Sequence, residues 1–188
     1  ATWNTPNSFP HNSWLTENSK VLLTTDEVND SYLAAYDVSD LSNVTELDRI
    51  QSNPGSNSVV HNTHIVKKNG TEYAFTSWYK DGFTITDLTR PHNLVQVGNY
   101  DMDKTKSGSG MESCWGVDPY LPSGTILATD IQNGFYTFAP TLVRACYLEG
   151  KVKDCQTNNP ISGYTVTLQV AGPQTDSHVD ITNASGDY

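Results

Sequence analysis

The sequence predicts an all-β protein, and three observations carry that expectation. Similar lines recur at a spacing of about fifty residues, the apolar residues within them fall in short runs bounded by turn formers, and residues 1–140 show no helical period. The aligned lines are HNSWLTENSKVLLTTDE from His11, HNTHIVKKNGTEYAFTSWY from His61 and ESCWGVDPYLPSGTILATDI from Glu112. Each continues into a second matching piece, YLAAYDVSDLSNVTELDRI, GFTITDLTRPHNLVQVGNY and GFYTF. Asp37 and Asp87 fall fifty apart, as do Asn43 and Asn93, so two full units and most of a third are present.

Each unit is built from strand signals. VLLTTD, EYAFTSW and TILATD are rich in β-branched and aromatic residues and are bounded by TENSK, KKNG and LPSG. Val21–Asp26, Tyr73–Trp78 and Thr125–Asp130 are therefore expected to be equivalent strands of successive units. Asn69-Gly70 is a strong hairpin signal, and Asp81-Gly82 and Asn133-Gly134 repeat it between the second and third strands. Asp37 and Asp87 follow strands and are expected to accept backbone N–H groups in Asx-turns. Four short strands per unit at this period is the pattern of a β-propeller blade; a sandwich with coincidental internal similarity is the alternative. The runs SNPGSNS (52–58) and DKTKSGSG (103–110) then become connections between blades, rimming one face where propellers usually recognise ligands.

Composition bounds the function. A chain of 188 residues with 36% hydrophobic residues can build a core, and a formal charge of -10 with 11 Lys and Arg argues against nucleic acid or an anionic membrane surface as the main partner. Cations suit it better. No apolar run of about 18 residues exists, so no transmembrane segment is expected, and residues 1–10 lack the features of a signal peptide. Cys114, Cys146 and Cys155 match neither a dense disulfide framework nor paired zinc spacing. If YLEGKVKD between Cys146 and Cys155 is one strand, their Cα atoms lie roughly 27–30 Å apart at ~3.3 Å per residue. That is too far for a disulfide.

The aligned positions nominate the site. His11, His61 and Glu112 fall at the start of the innermost strand, beside the channel of a propeller, and Asp26, Trp78 and Asp130 form a second aligned trio at the end of the next strand, with Glu27 beside Asp26. Imidazole with carboxylate suits zinc, manganese or another divalent transition metal, so His11, His61, Glu112, Asp26 and Asp130 are candidate ligands. The competing reading is that these side chains hydrogen-bond the backbone between neighbouring strands. Trp78 and Tyr79 are candidate ligand-binding aromatics for stacking a sugar, against core packing. Trp14, His64 and Trp115 share one aligned position and are expected to pack between blades. Catalytic signatures are scarce: no G-x-S-x-G, H-E-x-x-H, P-loop or dinucleotide fingerprint occurs. Cys114 near His11 or His61 formally permits a thiol–imidazole pair, but an inert buried cysteine is the expectation. His92 and His178 are isolated and expected at the surface.

Residues 9–138, through YDVSDLSNVTELDRI, TITDLTRPHNLVQVGNY and PYLPSGTILATDIQNGFYTF, resemble LVIVD repeats and the C-terminal part of the choice-of-anchor B family. That resemblance implies a secreted or cell-surface protein, mainly bacterial. The tail is similar to the opening of a carboxypeptidase regulatory-like domain, a small β-sandwich that serves as a spacer. Gly150, Val152, Asp154, Pro160, Ile161, Gly163, Val166, Gly186 and Tyr188 carry the match. The expected organisation is residues 1–140 as the last blades, about three, of a larger propeller and residues 141–188 as a truncated sandwich, the remainder lying elsewhere in the same polypeptide. A non-catalytic binding scaffold for an extracellular protein or glycan follows as the leading function. A metal-dependent enzyme at the channel mouth and a carbohydrate-binding adhesive module are the alternatives.

Overall fold

Strands are the only regular secondary structure among the residues described in the computed structural model, 1–169 and 177–188. The side chains of Ser177 and His178 lie outside the described residues, and with them the surface position expected of His178. No helix of the described residues is long and apolar enough to cross a membrane. Two compact units are present, Ala1–Ala145 and Cys146–Tyr188.

The first unit contains three antiparallel meanders, none closed on itself. The first sheet runs β1 (Pro10–Leu15), β2 (Val21–Asp26), β3 (Leu33–Asp37) and β4 (Thr45–Ile50). The second repeats that order with β5 (Thr63–Lys68), β6 (Thr71–Ser77), β7 (Phe83–Asp87) and β8 (Val95–Tyr100). The third has β9 (Cys114–Asp118), β10 (Ile126–Asp130) and β11 (Gly134–Phe138). The three segments expected to be equivalent are thus second strands of three separate sheets. Their registers agree: Thr25 faces Leu33, Ser77 faces Phe83 and Thr129 faces Phe135.

Local chemistry accounts for the turns. Asn69 and Gly70 both have positive φ, 50° and 84°, as a two-residue turn matched to strand twist requires. Asp37 accepts the N–H and hydroxyl of Ser39, which holds its carboxyl below the usual range. Asp87 accepts the N–H of Thr89 with one oxygen and that of Ala145 with the other.

Alternation along the strands then sorts the core into two layers. Val21, Leu23, Leu33 and Ala35 of the first sheet meet Ile65, Ala74 and Trp78 of the second. Tyr73, Phe75, Phe83 and Ile85, on the opposite face of the second sheet, meet Cys114, Val117, Ile126 and Ala128 of the third. With both faces covered, the middle sheet reads as a nearly continuous buried run, and β7 is buried throughout. Burying an aromatic such as Trp78 removes about 150–250 Å² from water, worth roughly 4 to 6 kcal/mol of transfer free energy.

The sheets are also linked by a pattern that repeats. The connection after β2 bridges the segment before β5 through Asn29 and Val59, and the connection after β6 bridges β9 through Tyr79 and Cys114. These bridges differ in register, but the hydroxyl links match: the Thr25 hydroxyl donates to the His61 carbonyl (2.5 Å), and the Ser77 hydroxyl, its equivalent, reaches the Trp115 carbonyl (3.3 Å). First strands consequently lie beside first strands, β1 against β5 and β5 against β9.

The second unit pairs β12 (Thr165–Gln169) with β13 (Ser177–Ile181). The run 147–154 forms no continuous strand; it makes isolated bridges, Lys151 with Asp187 and Lys153 with Pro160. The strand expected between Cys146 and Cys155 is therefore corrected to an irregular segment, broken where Asp154 caps a turn through the N–H groups of Gln156 and Thr157. Both cysteines are free and exposed.

Candidate functional site

A bulge at the start of each first strand determines which side chains meet. Pro10 pairs with Asp26 and Asn12 with Thr25, which leaves His11 as an extra residue in the ladder. In the third sheet Cys114 pairs with Asp130 and Gly116 with Thr129, leaving Trp115. In the second, Ser77 bonds two successive residues, its carbonyl accepting from the His61 N–H and its N–H donating to the Asn62 carbonyl. Bulges re-aim a side chain away from the alternation of the strand. His11, His61 and Trp115 are the equivalent residues, and their rings meet in series, His11 on His61 and His61 against Trp115.

This register corrects the sequence alignment of the third unit by three residues. Trp14, His64 and Asp118 are the residues opposite Leu23, Phe75 and Leu127, so Asp118 takes the place assigned to Trp115, and Trp115 the place assigned to Glu112. Trp14 and His64 do pack on each other, with ring centroids 4.7 Å apart, under Tyr120. Glu112 lies with two ammonium groups instead, 3.6 Å from Lys106 and 3.9 Å from Lys80.

The structure brings His11 and His61 together with Glu27, the residue just after β2. The two imidazoles stack at 4.6 Å between centroids. His11 Nδ1 lies 3.1 Å from Glu27 Oε2, and His61 Nε2 lies 3.6 Å from Glu27 Oε1. One donor atom from each residue falls within 4.8 Å of the others. Tyr79 donates its hydroxyl to Glu27 Oε1 and holds the carboxylate in place. Trp115 closes the side, its ring 4.7 Å from that of His61, and remains half exposed.

Electrostatics separate the two histidines. His61 is 3% exposed, and its burial pushes the imidazole pKa down; the bond to the Trp115 carbonyl opposes that, His11 adds to it and Glu27 opposes it. Nδ1 faces the Trp115 carbonyl, which can only accept, so the proton sits on Nδ1 and the Nε2 lone pair faces Glu27. Tyr79 is held as a phenol by its burial first and by Glu27 second.

The remaining nominated residues do other work. Asp26 accepts the Asn7 N–H at 2.6 Å, and Asp130 accepts those of Gln132 and Asn133 at 2.9 and 2.8 Å; each fixes backbone and neither joins the imidazoles. Trp78 and Tyr79 are 1% and 0% exposed. Trp78 donates its indole N–H to Thr84 inside the core, so neither ring presents a face on which a sugar could stack. Cys114 is buried, and its surroundings push the thiol far up, away from the thiolate a nucleophile needs. His92 is exposed.

The two glycine- and serine-rich connections meet. Ser52, Ser56 and Ser58 all turn their hydroxyls to Asp81 Oδ2. Gly108 of the other connection lies against the Ser56 carbonyl, where a Cβ would come within 2.8 Å.

Glu27 was flagged by sequence only as a neighbour of Asp26. The repeat could not single it out, because the residues that follow β6 and β10 at its place are Tyr79 and Ile131. No family model matches the chain, and no curated protein matches it.

Proposed function

We propose that residues 1–145 are consecutive blades of a β-propeller and that the chain is a non-catalytic binding scaffold of a secreted or surface-displayed bacterial protein. The observation that supports this reading is the repeated link between sheets: the same hydroxyl-to-carbonyl bond recurs at both junctions, and first strands lie side by side. A single rule of placement applied at each junction is what propagates blades around an axis. The resemblance to LVIVD repeats and the choice-of-anchor B family supports the surface location, and the spacer-like tail is in keeping with it.

Recognition belongs at the end where the first strands begin. There Trp115 and Met111 are half exposed, and the connections 52–58 and 103–110 are tied down by the contacts at Asp81 and Ser56. An aromatic such as Trp115, held on a strand beside tethered connections, loses little entropy on binding. The partner is an extracellular protein or glycan.

The test is binding of the purified chain to arrays of extracellular proteins and glycans, repeated with Trp115→Ala and with residues 103–110 replaced by a plain linker. Loss of a bound partner in both variants, at unchanged melting temperature, supports the reading. Substrate turnover abolished by Glu27→Gln, with no binding that depends on the connections, overturns it.

A further inference from the structure

Two lone pairs oppose each other where His61 meets Glu27. With the His61 proton on Nδ1 and donated to the Trp115 carbonyl, Nε2 offers only a lone pair, and it lies 3.6 Å from a carboxylate oxygen that also only accepts. A cation between them removes the conflict. A metal ion bound by both atoms is such a cation.

The surroundings have the form of a metal site. Two imidazoles and one carboxylate are a donor set for first-row transition metals and are poor for calcium or magnesium, which take oxygen ligands. Metal-bound histidine usually donates its second ring N–H to a carbonyl or carboxylate, and liganding carboxylates are themselves hydrogen-bonded. His61 has the Trp115 carbonyl in that role and Glu27 has the Tyr79 hydroxyl. Donors around a tetrahedral ion with bonds of about 2.0–2.1 Å sit about 3.3 Å apart. Here they lie within 4.8 Å, with the Glu27 contacts at 3.1 and 3.6 Å. Closing the remainder asks for rotation of His11, the one partner exposed at the edge of the group and carried on a bulge.

We propose that His11, Glu27 and His61 bind one divalent first-row transition-metal ion, leaving at least one coordination position open on the exposed side. The inference rests on these three side chains and not on the propeller reading.

The experiment is calorimetric titration of the chain with zinc chloride, paired with the visible spectrum of the cobalt(II) form. Cys146 and Cys155 are first replaced by Ser, because exposed thiols would bind zinc themselves. One saturable equivalent is expected. His11→Ala and Glu27→Gln should each weaken it at least tenfold and abolish the cobalt spectrum of a four- or five-coordinate ion, while His92→Ala leaves both unchanged. His11 and Glu27 lie outside the hydrophobic core, so both variants should keep the far-ultraviolet dichroism and metal-free melting temperature of the parent. Absence of a one-equivalent site, or a site unaffected by both substitutions, overturns the proposal.

Discussion

Thr25→Val measures the link between the first two sheets. The Thr25 side chain is fully buried, and its hydroxyl donates to the His61 carbonyl at 2.5 Å. Valine keeps the shape and the β-branch and replaces only the hydroxyl, so packing is nearly unchanged. The loss is the hydrogen bond together with the desolvation of a carbonyl left without it, about 1 to 3 kcal/mol. For a unit of this size that corresponds to a fall in melting temperature of roughly 2–4 °C per kcal/mol. Urea unfolding followed by fluorescence and by far-ultraviolet dichroism reads the change as a shift in midpoint at constant m-value. Thr45→Val on the exposed edge strand β4 is the control, expected within about 0.5 kcal/mol of the parent. If Thr25→Val is no worse than Thr45→Val, the hydroxyl does not hold the sheets together and the repeated link loses its energetic meaning.

Trp78→Ala should cost about 3 to 5 kcal/mol by the same unfolding assay, because the ring fills the layer between the first two sheets and its indole N–H is satisfied there. Gly82→Ala should destabilise far more than Gly70→Ala although both have positive φ: a Cβ at Gly82 would lie 2.0 Å from the Tyr100 carbonyl oxygen, while nothing lies within 4 Å at Gly70. Gly70→Ala should show only the conformational penalty, about 1 kcal/mol, as a modest midpoint shift. Burial holds the His64 pKa below its ordinary value, with Asp118 opposing. Below about pH 6.5 the unfolded chain takes up a proton that folded His64 refuses, so stability should fall as pH drops from there towards the folded pKa, and His64→Phe should flatten that slope in melting curves collected against pH.

The strands were legible because their signals are local. Asn69-Gly70 predicts a turn with two left-handed residues and makes one, and the Asp37 and Asp87 turns form where a short carboxylate follows a strand. The site was only half legible. His11 and His61 were found because both bulges fall in the same place in two similar lines. The third line misled, since a bulged residue adds nothing to composition and Glu-Ser-Cys-Trp aligns by chemistry with His-Asn-Ser-Trp while the ladder aligns Trp115 with His11. Trp78 drew attention by standing where the other units have Asp. Of the two readings, sugar stacking and core packing, the second holds, because strand alternation puts position 78 on the face of Ala74, towards the first sheet. Glu27 had no repeat partner to mark it.

The bulges separate what a repeat must keep from what it can change. At each one the flanking residues hold the ladder, through Pro10 and Asn12 in one sheet and Cys114 and Gly116 in another, while the residue between them belongs to neither face of its sheet. Replacing His11 or Trp115, the two bulged residues with exposed side chains, touches no core layer, so those positions can drift at little cost to folding. The present chain already displays two settings, imidazole at His11 and His61 and indole at Trp115. Repeated sheets of this kind can therefore carry different end-face chemistries through single substitutions at the bulge, with the ladder on either side unchanged.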